Sequence, residues 1–294
     1  HLFSSRLFAN TSLIFTDYKL KISNEFSDKN DNFSLLYTSG IKDYAAKITF
    51  DYLPDPNHYI KFGLHGIYHR FSPGATVIKS SFIGENVNES KLFESFENAL
   101  FVEDDWKITD KLRVNAGVRL SNFILKDEVY LNPEPRLSGR YRLTKDLSVK
   151  AAYSRMYQYM HLLSNTGIGL PTDLWVPATE RAPFMRSEQV AAGIAKDFFK
   201  SGFDVSVEGY YKTMSNLLEY KEGASFFDSN IDWQDKVETG TGTAYGAEFL
   251  LQKKTGKIKG AGIPGARGRD TEGGPNPRGS RQLHFCMWNN GEII

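Results

Sequence analysis

The chain has 294 residues, of which 40% are hydrophobic, 24% are charged and 14% are aromatic, and its formal net charge is +1. The near-neutral charge and the apolar content exclude a disordered polyampholyte, and they give no support to a nucleic-acid partner, which requires a basic surface. A chain rich in aromatic residues but with a negative mean hydropathy is typical of a transmembrane β-barrel rather than of a soluble α/β domain.

The sequence contains no run of about 18 apolar residues, so we exclude a transmembrane helix. This exclusion does not extend to barrel strands, because their lipid-facing and lumen-facing residues alternate and leave each segment only half apolar. The single cysteine, Cys286, has no intrachain partner for a disulfide bond. The chain opens at His1 without a signal peptide, and we therefore expect a mature or truncated product.

The predicted elements are β-strands, identified by alternation of apolar and polar residues with a period of two. In residues 112–120 (LRVNAGVRL), apolar side chains occupy the even positions, whereas Arg113, Asn115 and Arg119 occupy odd positions. The repetition of this pattern along the chain predicts an all-β fold. In chain order, the predicted strands, about ten in number, are residues 3–20, 33–52, 59–71, 92–107, 112–120, 136–143, 147–155, 190–194, 203–212 and 245–251.

The connections between these strands alternate in length. Short polar turns lie at residues 53–57, 108–111, 143–146, 197–202 and 253–257, and long connections lie at residues 23–32, 72–91, 122–133, 158–187 and 213–241. Short turns at one end and long loops at the other are the arrangement of outer-membrane barrels. We therefore predict part of an antiparallel transmembrane β-barrel, with short periplasmic turns and long extracellular loops. A soluble antiparallel sandwich is a weaker alternative, because its loops have mixed lengths.

Two basic residues, Arg155 and Lys196, fall on the apolar parity of their strands. A Lys or Arg at mid-membrane on the lipid face costs about 2–4 kcal/mol. Both residues lie near predicted strand ends, Arg155 beside a long loop and Lys196 beside a short turn. We expect Arg155 to meet lipid phosphates and Lys196 to extend its amine to the membrane surface, where the cost is small.

The sequence offers no convincing catalytic, metal or cofactor site. His65 and His69 share one face of a strand, but at about 3.3 Å per residue they stand about 13 Å apart, too far to bind one ion. We predict that they are solvated histidines of the barrel lumen. Glu103 and Asp105 share a face near a turn, where we predict a solvated acidic rim rather than an acid–base pair. The protein is therefore predicted not to be an enzyme and to need no cofactor.

Several segments resemble, in order, the barrel strands of TonB-dependent receptors. They are FENALFVEDDWKITDKLRVNAGVRLSNF, PEPRLSGRYRLTKDLSVKAAYSRMYQYMHLL, EQVAAGIAKDF, VEGYYKTMSNLLEY and AYGAEFLLQKKTGKIKG. The resemblance covers residues 92–260, and NTGIGLPTDLWVP, at residues 165–177, is similar to a loop of one branch of the family. It implies a 22-stranded barrel filled by an N-terminal plug. Such a protein takes up a scarce nutrient with energy from the inner-membrane TonB complex.

The sequence also departs from that family. It contains no plug and no TonB box, and about ten strands cannot close a barrel of that size, so we expect the chain to be a fragment. We assign residues 1–260 to a partial barrel. Residues 261–294 lose the alternation and are rich in Gly, Pro and Arg. We expect this irregular tail to come from a changed reading frame or a foreign join.

The resemblance implies ligand-gated active uptake across the outer membrane of a Gram-negative bacterium. The expected partners are outer-membrane lipid, the TonB complex through the missing plug, and an unknown small nutrient. A surface lipoprotein partner stays open, and so does the substrate, because siderophore, cobalamin, glycan and peptide importers share one barrel. A passive or structural barrel, of the porin or adhesion type, is the alternative, and a soluble carbohydrate-binding domain is a weaker third.

The loop at residues 158–177, within the long connection at residues 158–187, is the candidate for the ligand contact. Within it, His161, Asp173 and Trp175 offer a hydrogen bond, a charge and a stacking face. The alternative is that Trp175 and the apolar residues on either side of it pack the loop against its neighbours, because burying a Trp removes a large apolar area from water.

Overall fold

The computed structural model describes residues 1–27, 32–80, 84–88, 92–165, 172–199, 201–221, 232–253, 267–272, 288–289 and 292–293. Among these residues, no helix has the length and apolar character needed to cross a membrane. The strands are β1 (Leu2–Ser4), β2 (Leu7–Ser27), β3 (Asn32–Asp55), β4 (His58–Ser80), β5 (Gly84–Asn88), β6 (Phe93–Lys107), β7 (Leu112–Leu125), β8 (Glu128–Arg142), β9 (Leu147–Gln158), β10 (Met160–Asn165), β11 (Thr172–Pro177), β12 (Met185–Phe198), β13 (Phe203–Tyr220), β14 (Val237–Lys253), β15 (Arg267–Glu272), β16 (Trp288–Asn289) and β17 (Glu292–Ile293).

Thirteen of these strands form one antiparallel sheet, in the order β1-β2-β3-β4-β6-β7-β8-β9-β12-β13-β14-β15, with β5 paired to β4. Two separate hairpins are formed by β10 with β11 and by β16 with β17. A 3-10 helix, Trp233–Asp235, precedes β14. All the predicted strands are present, as β2 to β4, β6 to β9 and β12 to β14. Within the described residues the outermost strands, β1 and β15, do not pair, so the sheet is an open part of a barrel, as predicted.

The strands run further into the long connections than the sequence predicts. Strand β7 continues to Leu125 and β8 begins at Glu128, so the connection predicted at residues 122–133 is a hairpin with a two-residue turn. Pro133 and Pro135 lie within β8, where β9 no longer pairs with it, because that pairing begins at Arg136. Proline, which lacks an N–H donor, is tolerated at such an unpaired edge. The sequence prediction of a loop here is therefore wrong, because these prolines lie within a strand.

The two faces of the sheet differ in chemistry. We call the face on which the β10–β11 hairpin packs the inner face, and the opposite one the outer face. Buried polar side chains of the inner face include His69, Ser95, Ser121, Glu134, Ser187 and Lys212. Exposed apolar side chains of the outer face include Leu13, Leu64, Leu100, Leu120, Leu137, Val190, Ile194, Val207 and Phe249. This alternation is that of a barrel wall, polar toward the lumen and apolar toward lipid.

Arg155 and Lys196, the two basic residues on the apolar parity, both lie on the outer face. Arg155 stands near the long-connection end of β9, where its Nε donates to Oε1 of Glu188 on β12 at 2.7 Å. Lys196 stands near the short turn after β12, with its amine 5.1 Å from the centre of the Phe198 ring. Neither charge is therefore placed in the middle of the apolar band.

The predicted tail, residues 261–294, lies mostly outside the described residues. Within it, β15 pairs with β14 from Thr241↔Glu272 to Gly246↔Arg267, and β16 pairs with β17. The foreign origin of this tail stays a prediction.

Candidate ligand-binding site

The β10–β11 hairpin crosses the inner face at the end that carries the long connections. Its two strands pair in regular register from Met160↔Pro177 to Asn165↔Thr172. Apolar side chains of the hairpin are buried against β14 and its surroundings, in a cluster of Leu163, Leu174, Val176, Val237, Leu218, Tyr220 and Trp233. The hairpin also contacts β3 and β4. Because β3 and β14 lie near opposite ends of the sheet, the sheet curves around the hairpin.

Tyr159, which precedes β10, anchors the hairpin to the wall. Its ring stacks on Phe123 with centroids 5.0 Å apart and an interplanar angle of 2°. Its hydroxyl lies 2.7 Å from Oγ of Ser121 and accepts a hydrogen bond from Nδ2 of Asn132 at 2.9 Å. On the returning chain, Phe184 meets the Tyr159 ring edge-on at 5.7 Å. Both ends of the connection are therefore held against β7 and β8.

A second apolar cluster joins Tyr159 to strands β3, β4 and β6 on the same inner face. Its buried members are Ile41, Phe71, Phe93, Phe123, Leu125, Tyr159 and Ala178, and the partly buried residues around them are Tyr130, Tyr157, Met160, Trp175 and Phe184. The cluster draws on β3, β4, β6 and β7, so it closes the inner face beneath the hairpin. Burial of this aromatic surface helps to hold the hairpin in this position.

Trp175, one of the three predicted ligand contacts, is half-buried. It packs against the second apolar cluster, and its ring meets Tyr18 of β2 edge-on with centroids 6.5 Å apart. Its neighbours Leu174 and Val176 are buried. The packing alternative for this segment therefore has direct structural support, and only part of the Trp175 surface is available to a ligand.

His161 and Asp173, the other two predicted contacts, do not join Trp175 in an exposed group. His161 is 1% exposed, and its ring lies against the backbone of Ala182 and Pro183. Burial lowers the pKa of His161 to about 4, opposed in part by the backbone of Ala182 and Pro183. The backbone of Asp173 pairs with Ser164, and its side chain lies outside the described residues. A contact between His161 and a ligand would require the hairpin to move.

A network of charged side chains lines the inner face below the hairpin. His69 on β4 is 1% exposed, with Nδ1 2.8 Å from Oδ1 of Asp43 and Nε2 3.8 Å from Oε2 of Glu97. Arg119 on β7 lies 3.8 Å from a carboxylate oxygen of Glu97 and 3.8 Å from one of Glu134. The prediction of a solvated His69 is therefore wrong, because carboxylates on β3 and β6 and the apolar cluster above enclose its ring.

The acidic rim predicted at Glu103 and Asp105 consists of ion pairs. Glu103 lies 3.8 Å from Nζ of Lys61 on β4, and Asp105 accepts two hydrogen bonds from Arg113 on β7, at 2.5 and 2.6 Å. Both carboxylates are therefore paired with cations on neighbouring strands. Their inward parity was visible in the sequence, but the pairing depends on the register between strands, which alternation alone does not determine.

The fold and the polarity of its two faces agree with a known family of barrels. The sequence model described as TonB dependent receptor-like, beta-barrel matches residues 3–281. The chain belongs to this family. The resemblance seen at residues 92–260 is thus confirmed over nearly the whole chain. No curated protein matches this sequence.

Solved structures of TonB-dependent receptors share the fold. The pyoverdine outer membrane receptor FpvA of Pseudomonas aeruginosa PAO1 has a TM-score of 0.57 and 12% identity, over 92% of this chain and 43% of its own. The ferric yersiniabactin uptake receptor FyuA of Yersinia pestis has a TM-score of 0.56 and 13% identity, over 86% and 38%. The RagAB peptide transporter has a TM-score of 0.52 and 12% identity, over 86% and 33%. This chain therefore spans between a third and a half of each of these structures.

Proposed function

We propose that the protein is an outer-membrane receptor that imports a scarce nutrient by ligand-gated, energy-dependent transport, and that this chain builds part of its barrel. Membership of the TonB-dependent receptor family carries the proposal. Energy would come from the TonB complex through an N-terminal plug, as the family resemblance implies. The protein would bind and move its ligand without converting it chemically, as a receptor rather than an enzyme.

We propose that ligand meets the loop at residues 158–177, with contacts from His161, Asp173 and Trp175. The half-buried surface of Trp175 supports a stacking contact, and Arg119, whose side chain is 20% exposed, offers hydrogen-bond donors below it. Because His161 is buried, we propose that it joins the contact only when the hairpin shifts.

A surface lipoprotein that covers the long connections is a further proposed partner. Co-purification of a lipoprotein with the receptor from outer membranes would support it. Purification of the receptor alone under mild detergent conditions would count against it.

The transport proposal is tested by uptake in cells with and without TonB. The receptor is expressed in both strains, and accumulation of candidate ferric siderophores, cobalamin, oligosaccharides and peptides is measured. We expect receptor-dependent accumulation of one class, lost when TonB is deleted. Accumulation that persists without TonB would indicate the passive porin type instead.

The same assay tests the ligand contact through Trp175→Ala. We expect reduced uptake with unchanged receptor abundance in the outer membrane, because the substitution removes a stacking surface. Trp106→Ala is the matched control, since Trp106 lies on the outer face, where it is 44% exposed. If receptor abundance falls together with uptake in Trp175→Ala, the role of Trp175 is packing.

A further inference from the structure

Two arginines on the outer face share one carboxylate. Nε of Arg155 donates to Oε1 of Glu188 at 2.7 Å, and Nη2 of Arg186 donates to the same oxygen. Arg155 and Glu188 are directly paired across β9 and β12, and Arg186 stands two residues from Glu188 on β12. The three side chains form a cluster with a net charge of +1. Each guanidinium carries five N–H donors, of which Glu188 takes one.

This cluster differs from two other ionic pairs on the outer face. Lys42 pairs with Asp17 at 3.1 Å, and Arg70 pairs with Glu94 at 3.3 Å. In each of these pairs one cation meets one carboxylate, so the charges cancel. The cluster around Glu188 instead keeps one positive charge in excess.

The cluster lies at the border of the apolar band. Tyr153 and Val190 face each other across β9 and β12, two residues toward the short turns from Arg155 and Glu188. Two residues of strand correspond to about 7 Å. Val190 is 49% exposed, and Ile194, further along the same face, is 44% exposed. A molecule bound by the arginines can therefore lay an apolar chain along these residues.

We propose that Arg155, Arg186 and Glu188 form a binding site for the phosphate of an outer-leaflet lipid headgroup. A guanidinium matches a phosphate in geometry, with two parallel N–H donors for two oxygens. Glu188 positions the two guanidiniums and limits their mutual repulsion. The apolar surface beside the cluster favours a lipid over free phosphate as the bound molecule, because it would contact acyl chains and adds nothing to the binding of free phosphate. The site does not depend on the proposed transport function.

The test measures lipid binding to the full-length receptor, purified from membranes in dodecyl maltoside. The receptor is titrated with lipid A, which carries phosphate monoesters, and bound lipid is counted by native mass spectrometry. We expect the Arg155→Ala/Arg186→Ala variant to bind lipid A roughly tenfold more weakly, because it loses charge-assisted hydrogen bonds. Unchanged binding by a folded double variant would overturn the proposal.

Two further variants separate this site from a general charge effect. Arg70→Ala is the matched control, since Arg70 is an outer-face arginine in a neutral pair, and it should leave lipid A binding unchanged. Glu188→Gln should bind lipid A more tightly, because its amide oxygen can still accept from both guanidiniums while the competing negative charge is removed. The proposal is contradicted if Arg70→Ala weakens lipid A binding as much as the double variant does. It is also contradicted if Glu188→Gln binds lipid A no more tightly than the unaltered receptor.

The probes distinguish the lipid from free phosphate. Removing the phosphates from lipid A should weaken its binding to the unaltered receptor at least as much as removing both arginines weakens the binding of intact lipid A. A large excess of inorganic phosphate should not displace lipid A, and displacement would overturn the assignment to a lipid. If the double variant does not fold, Arg186→Ala alone gives the same comparison, since the Arg186 side chain is the more exposed of the two.

Discussion

The imidazole of His161 lies on the hairpin that crosses the inner face, enclosed against the backbone of Ala182 and Pro183. Burial in such a place disfavours the charged form, so the ring stays neutral in the folded protein. The sequence suggested a ligand contact at this residue because a histidine in a long loop offers a hydrogen bond. The burial results from packing of the hairpin against distant strands, which no local pattern reveals.

This burial makes the docking of the hairpin sensitive to acid. The pKa of His161 is lowered to about 4, whereas an unfolded imidazole titrates near 6.5. Above pH 6.5 the ring is neutral in both states, and its stabilising effect is fully present. As the pH falls from 6.5 toward 4, the unfolded state binds the proton first, so stability is lost, by about 3 kcal/mol in total.

Hydrogen exchange of the β10 and β11 amides, corrected for the intrinsic effect of pH, would measure this loss between pH 7 and pH 4. We expect His161→Leu, which cannot titrate, to show a smaller dependence on pH than the unaltered protein. The same dependence in both proteins would mean that other groups are responsible.

At the scale of the strands, β3 and β4 approach closely at Gly63. A Cβ atom added there would lie 2.1 Å from the carbonyl oxygen of Ile48 and 2.8 Å from the Phe101 ring. The first contact is with backbone, which cannot yield without displacing β3. Gly139 on β8 offers the opposite case, since an added Cβ would lie 3.8 Å from its nearest neighbour, a methyl group of Val114.

We therefore expect Gly63→Ala to destabilise the barrel by about 1–3 kcal/mol, the usual cost of overpacking. Gly139→Ala, on the same sheet, should be close to neutral. Urea unfolding of the receptor in lipid vesicles, followed by tryptophan fluorescence, would measure both. Equal stability of the two variants would show that β3 moves aside at little cost.

The elements themselves were largely predictable, and their contacts were not. The period of two located the strands and assigned His69 and Arg119 to the inner face. It did not reveal that His69 is enclosed by carboxylates, because the register between β3, β4 and β6 decides which side chains meet. The extension of β7 and β8 was missed because Pro133 and Pro135 indicate a loop unless one knows that β9 leaves that edge unpaired.

At the scale of the whole molecule, the outer face is a continuous apolar band interrupted by charge only near its borders. Leu100 lies within this band, 55% exposed, between Leu64 on β4 and Leu120 on β7. Asn115 on β7 belongs to the inner face of the same wall. The two positions therefore test whether the outer face meets lipid.

We expect Leu100→Arg to destabilise the folded barrel in a bilayer by about 2–4 kcal/mol, because a charge enters the lipid face. Asn115→Arg should have a much smaller effect, since it faces the lumen. Folding into vesicles, measured by urea titration, compares the two. Equal effects would mean that the outer face does not contact lipid.

The strand order also has a consequence for how the protein folds. Among the described strands from β1 to β15, sheet neighbours follow one another along the chain, except that β5 pairs with β4 off this path and β10 and β11 form a separate hairpin. The longest excursion between paired strands of that path runs from Gln158 to Met185. Each pairing therefore closes a short loop at a small entropic cost. Neighbouring strands can therefore pair one after another in chain order. Pairing of the two outermost strands with their partners, which closes the barrel, is then expected to be the slowest step.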